Sequence, residues 1–185
     1  MTEPKPSHPS EAKARVFFAL WPSAAERRAM ARWQAPLKDL CGGRAMRSDT
    51  LHVTLLFLGE IPADRLEALK LAAEEVAGQP FALRFDLARY WGHNHIAYAA
   101  PSAVPEALRD LAAALEQRAT QHRFRFERRP YKPHITLLRN ARWTDDPLPA
   151  LPPVDWQVRE FVLVLSSPDE NGAHYEVLAR FPLKG

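Results

Sequence analysis

Apolar positions along the chain fall into short alternating runs, and helical spacing interrupts them three times. Arg15 to Leu20 (RVFFAL) predicts a first strand. Pro22-Ser23 then opens a helix, with Ser23 and Glu26 at capping-box spacing, that runs to about Leu40 and is bent or shortened by Pro36. Gly42-Gly43 break the chain before a strand from Leu51 to Leu58, which Gly59 ends. Pro62 starts a second helix with Leu66, Leu69, Ala73 and Val76 on one face and Gly78 as its terminator.

The second half follows the same plan. Phe81 to Leu87 and His95 to Ala100 read as strands, and a third helix from near Pro105 to about Gln121 carries Val104, Leu108, Leu111 and Leu115 on its apolar stripe. Another strand follows around His134. Pro147 to Pro153 is a loop, and Val158–Leu165 with His174–Phe181 predicts a closing hairpin around Asn171-Gly172. In each half a strand, a helix and a loop precede a histidine-bearing strand, a weak duplication with a period of about 80 residues. The expected fold class is therefore α+β and bilobal: two pseudo-symmetric lobes, each an antiparallel sheet with flanking helices, with the active cleft between them. Residues 1–14 (MTEPKPSHPSEAKA) are polar and proline-rich and read as a disordered tail, leaving 15–185 as a single bilobal domain.

A hydrophobic fraction of 46% suffices for a packed core, while no apolar run is long enough to span a membrane and the N-terminus does not resemble a secretory signal. A cytoplasmic monomer is expected, with no membrane partner. Cys41 is the only cysteine, which excludes an intrachain disulfide and a thiolate metal cluster. The net charge of +3 permits an anionic partner, and 19 of the 25 basic residues are arginines, whose planar fork suits phosphate, although base composition of the genome also raises Arg.

The chemistry lies in a repeated phrase. His52-Val53-Thr54-Leu55-Leu56 returns as His134-Ile135-Thr136-Leu137-Leu138, whereas seven His and six Thr in 185 residues give only about 0.2 His-x-Thr triplets by chance. On a strand, residues two apart share a face, so each copy presents one imidazole and one hydroxyl together. Two imidazoles across a cleft can take a proton from a nucleophile and give one to a leaving group, which suits in-line phosphoryl transfer. Thr54 and Thr136 would donate to the phosphate oxygens, and Arg139 would add charge at a strand end. Which imidazole is acid and which base is open at this level. Neither motif brings a carboxylate or thiolate at zinc-site spacing, so no metal and no cofactor are expected. His93-Asn94-His95 reads as a turn, and His122 and His174 look incidental. In the run RFRFERRPYK (123–132), Phe124 and Phe126 are expected to face inward with Arg123 and Arg125 outward, and Tyr131 is the candidate cleft-lining aromatic.

These residues resemble the 2H phosphoesterase superfamily, and within it the RNA 2',3'-cyclic phosphodiesterase (2'-5' RNA ligase) family. RVFFALWPS, LHVTLLFLGE, RPYKPHITLLR and FVLVLSS followed by Y-x-V-L are similar to that family's segments in order, covering nearly everything after residue 14. The match is less obvious from Gln79 to Ala103. The resemblance implies metal-independent hydrolysis of 2',3'-cyclic phosphodiester ends of RNA, or of a cyclic nucleotide, to 2'-phosphomonoesters, and also 2'-5' ligation. It makes His52 the proton donor, His134 the proton acceptor, and Thr54 and Thr136 the phosphate holders. Small nucleotides or ADP-ribose cyclic phosphate are the alternative substrates, and a nucleotide- or RNA-binding module without turnover is the non-enzymatic alternative.

Overall fold

The computed structural model describes residues 12–170 and 172–184. Residues 1–11 of the expected tail and Asn171 of the predicted turn lie outside them. In chain order the elements are β1 (Lys13–Leu20), α1 (Ala24–Ala31), α2 (Gln34–Cys41), β2 (Arg44–Ala45), β3 (Val53–Pro62), α3 (Leu66–Glu74), β4 (Phe81–Phe85), β5 (Leu87–Trp91), β6 (Ile96–Ala100), α4 (Glu106–Gln121), β7 (Ile135–Arg139), β8 (Val154–Val158), β9 (Glu160–Asp169) and β10 (Gly172–Pro182). Two four-stranded antiparallel sheets result, ordered β10-β9-β1-β3 and β2-β7-β6-β5, with a separate β4-β8 pair.

The expected α+β, two-sheet architecture is present, with corrections that have physical causes. β1 begins at Lys13, inside the segment read as tail, because Lys13 and Ala14 pair with Pro62 and Ile61. The first helix is two: Pro36 has no N–H to offer and its ring would crowd the Arg32 carbonyl, so the chain turns at Arg32-Trp33 and Pro36 sits in the first turn of α2. Ser23 is the N-cap of α1, in extended conformation, but its side chain makes no capping bond. Gly59 does not end β3. It sits at φ +69 beside a bulge opposite Val16-Phe17, and pairing continues to Pro62. The strand expected over Phe81–Leu87 stops at Phe85: the Asp86 carboxylate accepts from the Ser102 backbone N–H at 2.7 Å and from its hydroxyl at 2.5 Å, β4 joins β8, and a separate strand β5, not expected from the sequence, joins β6. β8 begins at Val154 and the next strand at Glu160, where one strand from Val158 was expected.

The duplication survives as two equivalent antiparallel pairs, β1 with β3 and β6 with β7, each linked through helix. Yet the halves are interlocked. α2, from the first half, packs on β7, and α4, from the second, packs on β3. One continuous core therefore runs under both sheets, joining Phe18, Leu20 and Val53 to Leu108, Ile135 and Leu137. Strand β1 alternates across it: Val16, Phe18 and Leu20 enter this core, while Phe17 and Ala19 face the other way and form a smaller cluster with Val162 and Val164. From that second face Phe17, with Tyr175 packed against the cluster, lines the cleft between the sheets.

Candidate active site

Both motif histidines sit one residue before their strands, His52 ahead of β3 and His134 ahead of β7. Alternation then does what the spacing predicts: Val53, Leu55, Ile135 and Leu137 are buried, and His52, Thr54, His134 and Thr136 all line one cleft of about 800 Å³. The two imidazoles are held by the same device. His52 Nδ1–H donates to the Thr50 carbonyl at 2.7 Å, and His134 Nδ1–H donates to the Lys132 carbonyl at 2.8 Å, the residue two back in each case. A backbone acceptor on Nδ1 selects the neutral tautomer whose Nε2 lone pair is free to accept a proton. The Thr54 hydroxyl donates to His52 Nε2 at 3.1 Å.

Aromatic rings fix each imidazole further. His52 lies against Phe17 (centroids 5.0 Å apart), stacks on Trp21 (5.6 Å) and meets the edge of Tyr175 (5.4 Å). His134 meets Trp91 (4.5 Å) and Tyr98 (5.4 Å) edge-on. Of these five, Phe17 could have been found from the alternation of RVFFAL. Trp91, Tyr98 and Tyr175 come from strands whose facing depends on register, and Trp21 from the connection just after β1, so no local pattern marks them.

Burial lowers both histidines. His52 falls to about 4, through desolvation first, opposed by its bond to Thr50, with the positive charges of His134, Arg27 and Arg139 lowering it further. His134 is also lowered by burial, against the effect of its bond to Lys132. Arg15, Arg129, Lys132 and Arg139 line the same cleft, and no aspartate or glutamate lines it among the described residues. The electrostatics suit an anion.

Arg139 stands at the cleft as expected. Tyr131 does not line it: the ring packs into the core, the hydroxyl is buried without a hydrogen-bond partner among the described residues, and burial raises its pKa. Three residues is an odd offset from His134, which on an extended chain turns Tyr131 to the opposite face, so nearness to His134 was no guide to its facing. Its neighbours Arg129, Pro130 and Lys132 line the cleft instead. His93 and His95 lie in the β5–β6 turn; His93 reaches the cleft and His95 bonds the Tyr90 hydroxyl at 2.9 Å. His122 pairs with Glu75 at 3.2 Å, away from the site. No cluster of three or more His, Cys, Asp or Glu able to hold a metal occurs among the described residues.

The family model of the 2'-5' RNA ligase superfamily matches residues 21–170, most of the chain. The chain belongs to the 2'-5' RNA ligase superfamily. Superfamily relatives include the RNA 2',3'-cyclic phosphodiesterase of Escherichia coli, 34% identical over 172 residues (91% of this chain, 96% of that protein), and that of Thermus thermophilus, 31% identical over 92% and 91%. Among solved structures of the superfamily, E. coli LigT complexed with 3'-AMP superposes with a TM-score of 0.84 at 32% identity, covering 94% of this chain and all of that one. No helix among the described residues is long and apolar enough to cross a membrane.

Proposed function

We propose that this protein hydrolyses 2',3'-cyclic phosphodiester ends of RNA to 2'-phosphomonoesters, using two histidines and no metal. The observation that carries the reading is the pair of equivalently tethered imidazoles, with Thr54 and Thr136 lining the same cleft, among cations and free of carboxylates among the described residues. The E. coli and T. thermophilus relatives are RNA 2',3'-cyclic phosphodiesterases, in agreement with it.

In this reading a water attacks the phosphorus and loses its proton to His134 Nε2. The bond from phosphorus to the 3' oxygen breaks in line, and protonated His52 gives its Nε2 proton to that oxygen. Water and cyclic diester become a 2'-phosphomonoester and a 3'-hydroxyl, and the pair ends with its protons exchanged. The Thr54 bond gives this cycle a further consequence. A neutral His52 Nε2 accepts the Thr54 proton, but a protonated one cannot, so charging His52 frees the hydroxyl to turn onto a non-bridging phosphate oxygen. Thr136 serves the same oxygens from the other side. With a 5'-hydroxyl in place of water, the same transfer yields a 2',5' linkage. Arg139 supplies charge at the cleft edge, and the protein acts as a cytoplasmic monomer.

The test is turnover of a 2',3'-cyclic-ended oligonucleotide, of a 2',3'-cyclic mononucleotide and of ADP-ribose cyclic phosphate, each in excess chelator. Chelator-resistant formation of the 2'-phosphate on the oligonucleotide is expected. Loss of activity in chelator would overturn the metal-free mechanism, and binding without turnover of any of the three would make the protein a binding module.

A further inference from the structure

Between the end of α4 and His134 the chain passes through RFRFERRPYKP with neither helix nor strand. Despite that it is pinned at four points. Phe124 and Pro133 are buried, Phe126 is half-buried and Tyr131 packs into the core. The start is clamped by Arg65, which donates to the His122 carbonyl at 2.7 Å and lies 4.1 Å over the Phe124 ring. Tyr131, whose buried hydroxyl has no hydrogen-bond partner among the described residues, is one of these anchors.

What the anchors present outward is charge. Arg123, Arg125, Arg128, Arg129 and Lys132 are all exposed, against one acidic residue, Glu127. Glu127 pairs with Arg129 at 2.7 Å, but both side chains are more than two-thirds exposed, so the pair is weak and a phosphate can replace the carboxylate. The row leads directly into the cleft, where Arg129 and Lys132 join Arg15 and Arg139. A fixed row of cations binds a polyanion without a large ordering cost.

We propose that residues 123–132 form the track for the single-stranded RNA upstream of the cyclic end, with Arg125, Arg129 and Lys132 contacting its phosphates. The proposal rests on the phosphodiesterase reading, whose cleft sets where the strand ends. It makes the substrate an RNA end several nucleotides long in preference to a mononucleotide. Phosphate contacts are sequence-independent and salt-sensitive, each adding about 0.7 to the logarithmic salt slope on a single strand.

The test compares the intact protein with Arg125→Gln/Arg129→Gln/Lys132→Gln, and with a control that removes equal charge elsewhere, Arg84→Gln/Arg109→Gln/Arg159→Gln. Far-UV circular dichroism reports folding of each. Binding of a 3'-hydroxyl RNA hexamer, followed by fluorescence anisotropy between about 50 and about 200 mM salt, needs no catalysis. The track variant is expected to lose about 2 from the salt slope and to bind at least about tenfold more weakly at about 50 mM, while the control keeps the intact slope. In turnover, the advantage of a cyclic-ended hexamer over the cyclic mononucleotide in kcat/KM should fall by a similar factor in the track variant. Equal losses in both variants would reduce the effect to net charge and overturn the track, as would a hexamer that gains nothing over the mononucleotide. If no cyclic phosphate is turned over but the hexamer binding behaves as expected, the phosphodiesterase reading fails and the RNA track stands.

Discussion

At the scale of single residues, the histidines are weak bases in the free protein, and this makes a pH prediction. Because kcat/KM reports the free enzyme's pKa values, and burial holds both imidazoles below the ordinary 6.5, its bell-shaped profile should peak below about pH 6.5. A bound phosphodiester anion favours the imidazolium, so the kcat profile should lie at higher pH. A kcat/KM optimum above about pH 7.5 would contradict this. Thr54→Val and Thr136→Val keep shape and remove a donor. A hydrogen bond to a charged group contributes about 1.5–3 kcal/mol, so each is expected to lower kcat/KM by about 10-fold to about 150-fold. Single-turnover rates on a cyclic mononucleotide check it, and a change under about threefold would remove the threonine from the phosphate site. The two His-Thr pairs were legible in the sequence because a period of two needs nothing but the backbone. Tyr131 was not, since its segment is held by anchors and not by a ladder.

Elements position the site through contacts that are distant along the chain. Gly43 shows how tightly. At φ +86 it lies so near the end of β7 that an added Cβ would stand 2.5 Å from the Arg139 carbonyl and 3.0 Å from the Ala141 nitrogen. Gly43→Ala should therefore cost roughly 1–3 kcal/mol in backbone strain alone and displace the strand end that carries Arg139. A lower urea midpoint at unchanged slope is the expected readout, and an unchanged midpoint would show that the turn relaxes freely. The sequence marked Gly42-Gly43 as a break, and it marked the strands around both histidines, the second and third expected helices and the final hairpin, while joining α1 and α2 into one. It did not mark β2, which has only two residues, or the strands β5 and β8 with their separate pairings. Those are decided by which partner strand arrives, and a local pattern holds no record of that.

For the whole molecule, the halves are interlocked: α2 covers β7, α4 covers β3, and a single core lies beneath both sheets. The duplication could be read from the sequence, but the exchange of helices could not, because it leaves each helix's apolar stripe unchanged. Folding also stores a pH dependence. His52 titrates near 4 in the folded protein and near 6.5 unfolded, so in the window between them the unfolded chain binds more protons. Stability is thus lost as pH falls through that window, by about 2 kcal/mol from His52 alone between about pH 8 and about pH 5. Urea unfolding at both pH values measures it, and His52→Gln should remove most of that loss. Equal pH sensitivity in this variant would mean that His52 is not desolvated.

The central claim is that both imidazoles take part in one proton-transfer cycle. Its most direct test is kcat/KM for a 2',3'-cyclic-ended oligonucleotide in excess chelator, measured for the intact protein, His52→Ala, His134→Ala and the double variant. Each single change is expected to lose about 10²-fold to 10⁴-fold, and the double little more than the worse single, because neither half of the cycle turns over alone. A single variant that keeps near-full activity, or losses that multiply in the double, would contradict it.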